Sequence, residues 1–209
     1  EVEKVEWKTP DELTDLLSYE HDKELLQQLR ELHAAHLIET KPFIVLRHGK
    51  AVSRSNWDKT EAKRPVQPKG REQAQRLVPV LSAYGVKSVV SSPWTRCIET
   101  VEPFAAKKNY KIEAQPSLSE LGHSEKPAQT AKLIESLVAI GNATVVCSHR
   151  PVLPTILNTL AKNASKAQRA QIEAATALEP GQLLVIHFTK GEGSKRRIAG
   201  LEIQSPNID

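Results

Sequence analysis

From Lys41 onward, short apolar runs alternate with segments whose apolar residues recur every three or four positions. The apolar runs predict buried strands and the recurring positions predict amphipathic helices. Predicted strands cover residues 42–47, 86–91, 110–114, 143–148, 182–188 and 197–203, and predicted helices cover 71–84, 94–108, 128–140 and 152–161. This alternation is typical of an α/β domain. We predict a three-layer sandwich, with a mainly parallel central sheet and helices on both faces.

Residues 1–40 follow a different pattern. A short strand-like run contains Val2, Val5 and Trp7. Thr9-Pro10-Asp11-Glu12 then predicts a first helix, with Thr as its N-cap and Pro at the first helical position. A second helix is predicted by an apolar face of Leu25, Leu26, Leu29 and Leu32. So short a segment buries little core alone, so we predict a helical appendage over 1–40 and a main domain over 41–209.

Three of the predicted strands end in residues suited to phosphate chemistry. They end in Leu46-Arg47-His48-Gly49, in Ser91–Arg96 and in Cys147-Ser148-His149-Arg150. Because the carboxyl ends of parallel strands share one sheet edge, we expect two imidazoles and several guanidiniums to converge there. Guanidinium forks bind phosphate oxygens with two hydrogen bonds, and a neutral imidazole can attack phosphorus. Gly49 would let the backbone approach the phosphate closely.

Composition and charge change this interpretation little. The net charge is +4, but 25 acidic residues are interspersed, which fits either solubility or an anionic ligand. No basic stretch is interleaved with aromatic residues, so we do not predict nucleic-acid binding. Cys97 and Cys147 form no CxxC motif, so no metal or redox site is predicted. Without a signal peptide or a membrane-length apolar run, we expect a soluble cytoplasmic protein that binds no membrane.

Taken in order, these motifs resemble the histidine phosphatase superfamily, in particular its small branch with phosphohistidine phosphatases. The resemblance spans about residues 42–190 and rests on Ile44–Ala51 (IVLRHGKA), Arg64-Pro65, Gly70, Ser91–Arg96, Glu99-Thr100 and Ser148-His149. It implies that His48 is the nucleophile, that Arg47 and Arg96 bind phosphate, and that His149 is the second histidine. It also implies a phosphohistidine intermediate and no required cofactor, with Mg²⁺ entering only with a nucleotide or a Nudix domain.

Other residues near the motifs keep two interpretations each. Glu120 lies in a predicted polar loop where many family members carry their proton donor, and the alternative is an ordinary loop carboxylate; His123 is a second candidate. Arg64 either completes the phosphate clamp or faces solvent. Arg54 stands where larger family members usually have Asn, so its role and that of Ser53 stay open as substrate contacts. Arg150 contacts the rest of the substrate or nothing.

Residues 1–35 also resemble the C-terminal end of a MutT-type Nudix hydrolase. The resemblance rests on Val5-Glu6-Trp7, Thr9–Glu12, Leu16–Tyr19 and residues 22–26. Some MutT-type proteins join a Nudix domain to a histidine phosphatase domain, and this chain looks like the later part of one, with 1–40 as a Nudix remnant and linker. The Nudix box is absent from the sequence, so no Nudix activity is predicted.

The two resemblances together favour a small phosphorylated substrate with a phosphoanhydride bond. Nucleoside di- or triphosphates, including oxidised ones, are the expected class. One alternative is a phosphohistidine protein phosphatase. Another is a non-catalytic module that binds phosphate and contacts a Nudix domain.

Overall fold

The computed structural model describes residues 4–190 and 196–206, and the chain divides into two compact units, one ending at Thr40 and the other beginning at Lys41. In the first unit, helix α1 (Glu20–Ala34) confirms the second predicted helix. The first predicted helix is wrong, because residues 10–16 form turns and residues 4–9 form no strand. Val2 lies outside the described residues. The interpretation of residues 1–40 as a Nudix remnant stays a prediction.

Only half of the predicted capping box forms in this segment, because the Thr9 hydroxyl donates and does not accept from the Glu12 N–H. Both the N–H and the hydroxyl of Thr9 donate to Oε2 of Glu12, at 2.8 and 2.7 Å. Helix nucleation costs free energy that a short segment recovers only by packing its apolar face. Leu16 is 60% exposed, so the segment gains little from packing and stops at turns.

The second unit contains a six-stranded sheet with strand order β3-β2-β4-β1-β5-β6. The strands are β1 (Thr40–Arg47), β2 (Ser88–Ser91), β3 (Ile112–Ala114), β4 (Thr144–Ser148), β5 (Leu183–Thr189) and β6 (Ile198–Gln204). The pairs β3–β2, β2–β4 and β4–β1 are parallel, but β5 and β6 are antiparallel. The sheet is therefore mixed, and the prediction of a mainly parallel sheet is corrected. The layering into a three-layer sandwich stays a prediction.

Helices connect and follow these strands. They are α2 (Pro68–Ala83), α3 (Thr95–Lys108), α4 (Glu120–Glu125), α5 (Pro127–Ile140), α6 (Leu153–Leu160) and α7 (Lys166–Ala174). Short 3-10 helices cover Arg54–Asn56, Glu61–Lys63, Pro116–Leu118, Ala161–Asn163 and Ala175–Ala177. Of the six α-helices in the described part of this unit, four confirm the predicted helices, and α4 and α7 are additional. Ser165 and Gln168 form a capping box at the start of α7, a signal that the sequence already contains.

Alternate strand residues enter two separate hydrophobic clusters. In β1, Phe43 and Val45 belong to one cluster, while Ile44 and Leu46 belong to the other. Each side chain of this size stabilises the fold by about 1.5–3 kcal/mol when it is fully buried. The continuous apolar run of β1 is thus explained, since both of its faces are covered.

The parallel register fixes where the strand-end motifs lie. Arg47 is opposite Ser148, and Ser91 is opposite Cys147. The residues that follow β1, β2 and β4 therefore emerge at one edge of the sheet, as the sequence predicts. Within the described part of the chain, no helix is long and apolar enough to cross a membrane.

Candidate active site

The two predicted histidines meet at the carboxyl ends of β1 and β4. The ring centroids of His48 and His149 are 5.2 Å apart. His48 lines a surface pocket and is 8% exposed, whereas His149 is fully buried. His48 is thus the imidazole that a ligand in the pocket can reach.

The hydrogen bonds of His48 place its proton on Nδ1 and leave Nε2 as the unprotonated nitrogen that carries the electron pair. Nδ1 lies 2.8 Å from the Gly49 carbonyl oxygen, which can only accept, so Nδ1 carries the proton. Nε2 accepts from Nε of Arg96 at 3.2 Å. Burial lowers the pKa of His48 to about 3, and Arg96, Arg47 and Arg64 act in the same direction against the Gly49 hydrogen bond. The ring is therefore neutral near pH 7, the form that can attack phosphorus.

Ser92 sets the tautomer of His149, which is the same as that of His48. The Ser92 hydroxyl lies 2.8 Å from Nε2 of His149 and accepts from the Trp94 N–H at 3.3 Å. Among the described residues, Nε2 is the acceptor placed for the Ser92 hydroxyl proton, so His149 carries its own proton on Nδ1. Burial lowers the pKa of His149, and the charge interactions with His48 and Arg96 lower it further. Its Nδ1–H lies 3.6 Å from Oε1 of Glu120.

Arg96 is fully buried beside the nucleophile, and its donors are engaged. Besides His48, it donates from Nη1 to the Glu61 carbonyl oxygen at 3.0 Å and from Nη2 to Oε1 of Glu120 at 2.9 Å. The guanidinium carbon lies 4.7 Å from the centre of the Trp94 ring, within cation–π range. These contacts fix the guanidinium plane next to Nε2 of His48.

Glu120 lies in a helix, so the prediction of a polar loop is wrong. It is the first residue of α4, whose N-cap Ser119 accepts from the Gly122 N–H. This six-residue helix is too short to show periodicity in the sequence. The Glu120 carboxylate accepts from Arg96 and, at 3.3 Å, from Nη2 of Arg54. The side chain is 22% exposed and lines the pocket.

The pocket has a volume of about 540 Å³, within the range of small-molecule sites. Five cationic side chains and one carboxylate are among its lining residues, which are Arg47, His48, Lys50, Ala51, Val52, Ser53, Arg54, Arg64, Gln67, Glu120, Arg150, Pro151 and Pro180. The predicted contacts Ser53, Arg54, Arg64 and Arg150 are thus brought together. Such an excess of positive charge attracts an anion.

Arg47 and Arg64 both line the pocket. Nη1 of Arg47 donates to the Leu178 carbonyl oxygen at 2.6 Å, and its Nε is buried without a hydrogen-bond partner among the described residues. Arg64 is 8% exposed and does not simply face solvent; its guanidinium forms a two-bond fork with the Glu61 carboxylate. Glu61 is a residue that the sequence interpretation missed.

Gly49 has a packing role in this structure. Its N–H donates to Oγ1 of Thr100 at 2.9 Å, so the backbone donor is already used. A Cβ atom here would lie 3.0 Å from the Gly70 carbonyl oxygen, a tight contact that a larger residue would relieve only if this backbone moved by a few tenths of an ångström. The predicted phosphate contact of Gly49 stays a prediction. The neighbouring Glu99 accepts from the Val66 N–H at 2.7 Å and so ties the segment after Arg64 to α3.

The depressed pKa values of His48 and His149 predict an acid-sensitive fold. Between the unperturbed pKa of 6.5 and about 3, the unfolded chain binds protons that the folded protein does not. The free energy of unfolding should therefore fall as the pH falls through this window, by about 1.4 kcal/mol per pH unit for each histidine. Urea unfolding of wild type and His48→Gln between pH 6 and 5 tests this. His48→Gln should reduce the dependence of the free energy of unfolding on pH by about 1.4 kcal/mol per pH unit. An unchanged dependence would contradict the prediction.

Metal ligands do not cluster in the part of the chain that the structure describes. No group of three or more His, Cys, Asp or Glu side chains there has the arrangement to hold a metal ion. Both cysteines are free and buried.

A family model described as histidine phosphatase superfamily (branch 1) matches residues 43–139, which include His48, Arg96 and Glu120. The chain is 29% identical over 208 residues to an 8-oxo-(d)GTP phosphatase of Mycolicibacterium smegmatis. That match covers 99% of this chain and 60% of the relative, so the chain spans about three fifths of the relative's length.

Solved structures share the fold at low sequence identity. One is the protein histidine phosphatase SixA complexed with tungstate, with a TM-score of 0.55 and 20% identity, covering 79% of this chain and 97% of that one. Another is a mycobacterial glucosyl-3-phosphoglycerate phosphatase with VO3, with a TM-score of 0.59 and 15% identity, covering 79% and 99%. Over residues 43–139 this chain is therefore similar to the histidine phosphatase superfamily, and it shares the fold of these two solved structures.

Proposed function

We propose that this chain is a phosphohydrolase that transfers a phosphoryl group to Nε2 of His48 and then to water. One observation carries the proposal. A neutral imidazole lines a cationic pocket, with its proton on Nδ1 and its unprotonated electron pair on Nε2. The buried, unpartnered Nε of Arg47 supports it, because a phosphoryl oxygen would supply the missing acceptor.

In the first step, Nε2 of His48 gives up its hydrogen bond from Arg96 and forms a covalent bond to phosphorus. The electron pair on Nε2 of His48 forms the N–P bond while the bond to the leaving oxygen breaks, and the leaving group takes that bond's electrons. Arg96 then loses its acceptor on Nε2, so its Nε–H becomes available to a phosphoryl oxygen. Arg47, Arg64 and the Nδ1–H of His149 supply further donors. Water next forms a P–O bond while the N–P bond breaks; the electron pair returns to Nε2 of His48, and the released orthophosphate keeps both protons of the water.

The substrate that we propose is a nucleotide with a phosphoanhydride bond, such as a nucleoside diphosphate. The excess of cations around the pocket fits two phosphate groups better than one. The relative from Mycolicibacterium smegmatis, named for 8-oxo-(d)GTP, supports the nucleotide class. No step above uses a metal ion, because the arginines supply the positive charge.

A substrate panel tests this function. Phosphate release should be measured on nucleoside di- and triphosphates, oxidised and normal, on sugar monophosphates and on a phosphohistidine peptide, each with and without EDTA. We expect activity on the nucleoside diphosphates that persists in EDTA. Turnover of the peptide alone would establish the protein phosphatase alternative. Binding without turnover of any compound would establish a non-catalytic module.

Glu120 should matter more for ester bonds than for anhydride bonds. An alkoxide leaving group is strongly basic and needs a positioned acid, which typically contributes 10²–10⁴-fold. Phosphate leaving from an anhydride needs little such help. Both carboxylate oxygens of Glu120 accept from guanidiniums in this structure, so Glu120 can donate a proton to a leaving group only after the substrate displaces one of these contacts.

We therefore expect wild type to prefer anhydrides, and Glu120→Gln to slow sugar monophosphate cleavage at least tenfold more than nucleoside diphosphate cleavage. The measurement is kcat/KM of both proteins on both substrates. Glu125→Gln, at the other end of α4, is the control. Equal losses on the two substrates would remove the leaving-group argument.

A further inference from the structure

One carboxylate contacts three of the guanidiniums around the pocket. Oε2 of Glu61 accepts from Nε of Arg64 at 3.0 Å, and Oε1 accepts from Nη2 of Arg64 at 2.5 Å. The same Oε1 lies 3.2 Å from Nη2 of Arg96 and 3.4 Å from Nε of Arg54. The backbone carbonyl of Glu61 also accepts from Arg96, at 3.0 Å.

These contacts determine which N–H groups of Arg64 can donate to a ligand. A guanidinium has five N–H donors. In Arg64, two donate to Glu61 and one donates to the Val52 carbonyl oxygen. Two donors remain, one on each terminal nitrogen, and the fork to Glu61 fixes the plane in which they lie. Arg64 is buried at this wall of the pocket, so its orientation cannot relax into solvent.

Glu61 also offsets the repulsion among its partners. Arg54, Arg64 and Arg96 carry three like charges around one carboxylate. Hydrogen bonding to Arg64 lowers the pKa of Glu61, so the carboxylate carries its negative charge near neutral pH. Without that charge the guanidiniums would repel one another and spread.

The second carboxylate of the site is held more loosely. Glu120 makes one contact each to Arg96, Arg54 and, at 3.6 Å, His149, and it makes no fork with either arginine in the described structure. Glu61 instead makes a two-bond fork and a backbone contact. An incoming phosphate can therefore replace Glu120 at Arg96 while Glu61 keeps its contacts.

We infer that Glu61 is a positioning residue, which holds Arg64 and Arg96 in the orientation that binds the phosphoryl group of the substrate. The inference rests on the proposed phosphatase site, but it concerns binding rather than chemistry. Glu61 itself does not touch the reacting atoms.

The test compares orthophosphate binding in wild type, Glu61→Gln, Arg64→Gln and the double variant, by calorimetry well below each unfolding temperature. Gln keeps the size of the side chain, but its NH₂ group cannot accept a hydrogen bond and the side chain carries no charge. We expect Glu61→Gln to weaken orthophosphate binding about tenfold. In the Arg64→Gln background, the loss of orthophosphate affinity caused by Glu61→Gln should be at least threefold smaller, because Glu61 then has one arginine fewer to position.

Glu72→Gln is the matched control, because Glu72 pairs with Arg76 at 2.9 Å on the exposed surface of α2. It should leave orthophosphate binding unchanged. Wild-type affinity in Glu61→Gln, or losses that add fully with Arg64→Gln, would overturn the positioning role. Orthophosphate binding requires no turnover, so wild type that binds phosphate but hydrolyses nothing would overturn the proposed function alone. Failure of wild type to bind orthophosphate would overturn both.

Discussion

Replacement of His48 by alanine is expected to reduce turnover on the order of 10⁴-fold or more. The variant lacks the only imidazole that lines the pocket in the described structure, so no N–P bond can form. The second histidine cannot substitute, because His149 is fully buried and its Nε2 is held by Ser92. Steady-state phosphate release from a nucleoside diphosphate measures the effect.

The control must separate lost chemistry from lost folding. His48 is mostly buried, so His48→Asn, which keeps a polar side chain, should be measured beside alanine with the unfolding temperature of each. His187→Gln removes a histidine that pairs with Glu202 on β6, away from the pocket lining, and should keep wild-type activity. A folded His48→Asn protein with more than a few per cent of wild-type activity would refute the nucleophile assignment.

The Arg96→Lys substitution should be the most damaging change that conserves charge. An ammonium cannot reproduce the planar set of bonds that now joins His48, Glu61 and Glu120. The loss of one such contact to developing charge costs on the order of 3 kcal/mol, or about a hundredfold in kcat/KM. Kinetics on a nucleoside diphosphate measure it.

Arg76→Lys provides the comparison for Arg96→Lys. Arg76 also pairs with a carboxylate, Glu72, but its side chain is 45% exposed on α2. This exposed pair should tolerate the change without a measurable loss of activity. A near-wild-type Arg96→Lys enzyme would place Arg96 outside the catalytic machinery.

The convergence of His48, Arg96 and His149 could be predicted because it depends on strand direction alone. The apolar runs before them predict strands β1, β2 and β4, and parallel pairing places the ends of these strands at one edge. The apolar pattern of β5 and β6 does not show whether these two strands run parallel or antiparallel to each other. Only residues 190–197 separate these strands, which is too short for a parallel crossover, so chain length predicts their antiparallel pairing where the apolar pattern could not.

Contacts between distant segments could not be predicted in the same way. The Glu61 carbonyl oxygen meets Arg96, 35 positions away in the sequence, and no spacing rule connects them. Only the pairing of Glu61 with Arg64, three positions on, has a local signal. The sequence predicts a loop at Glu120 because a six-residue helix has too few turns to reveal its period.

Chemical trapping of the phosphoenzyme tests the nucleophile most directly. Wild type should be mixed rapidly with a nucleoside diphosphate labelled in its terminal phosphate, quenched in alkali, digested and mapped by mass spectrometry. The account predicts label on His48, stable in alkali and lost in acid as expected for an N–P bond, and no label in His48→Asn. Label on any other residue, or full turnover with no labelled intermediate, would contradict it.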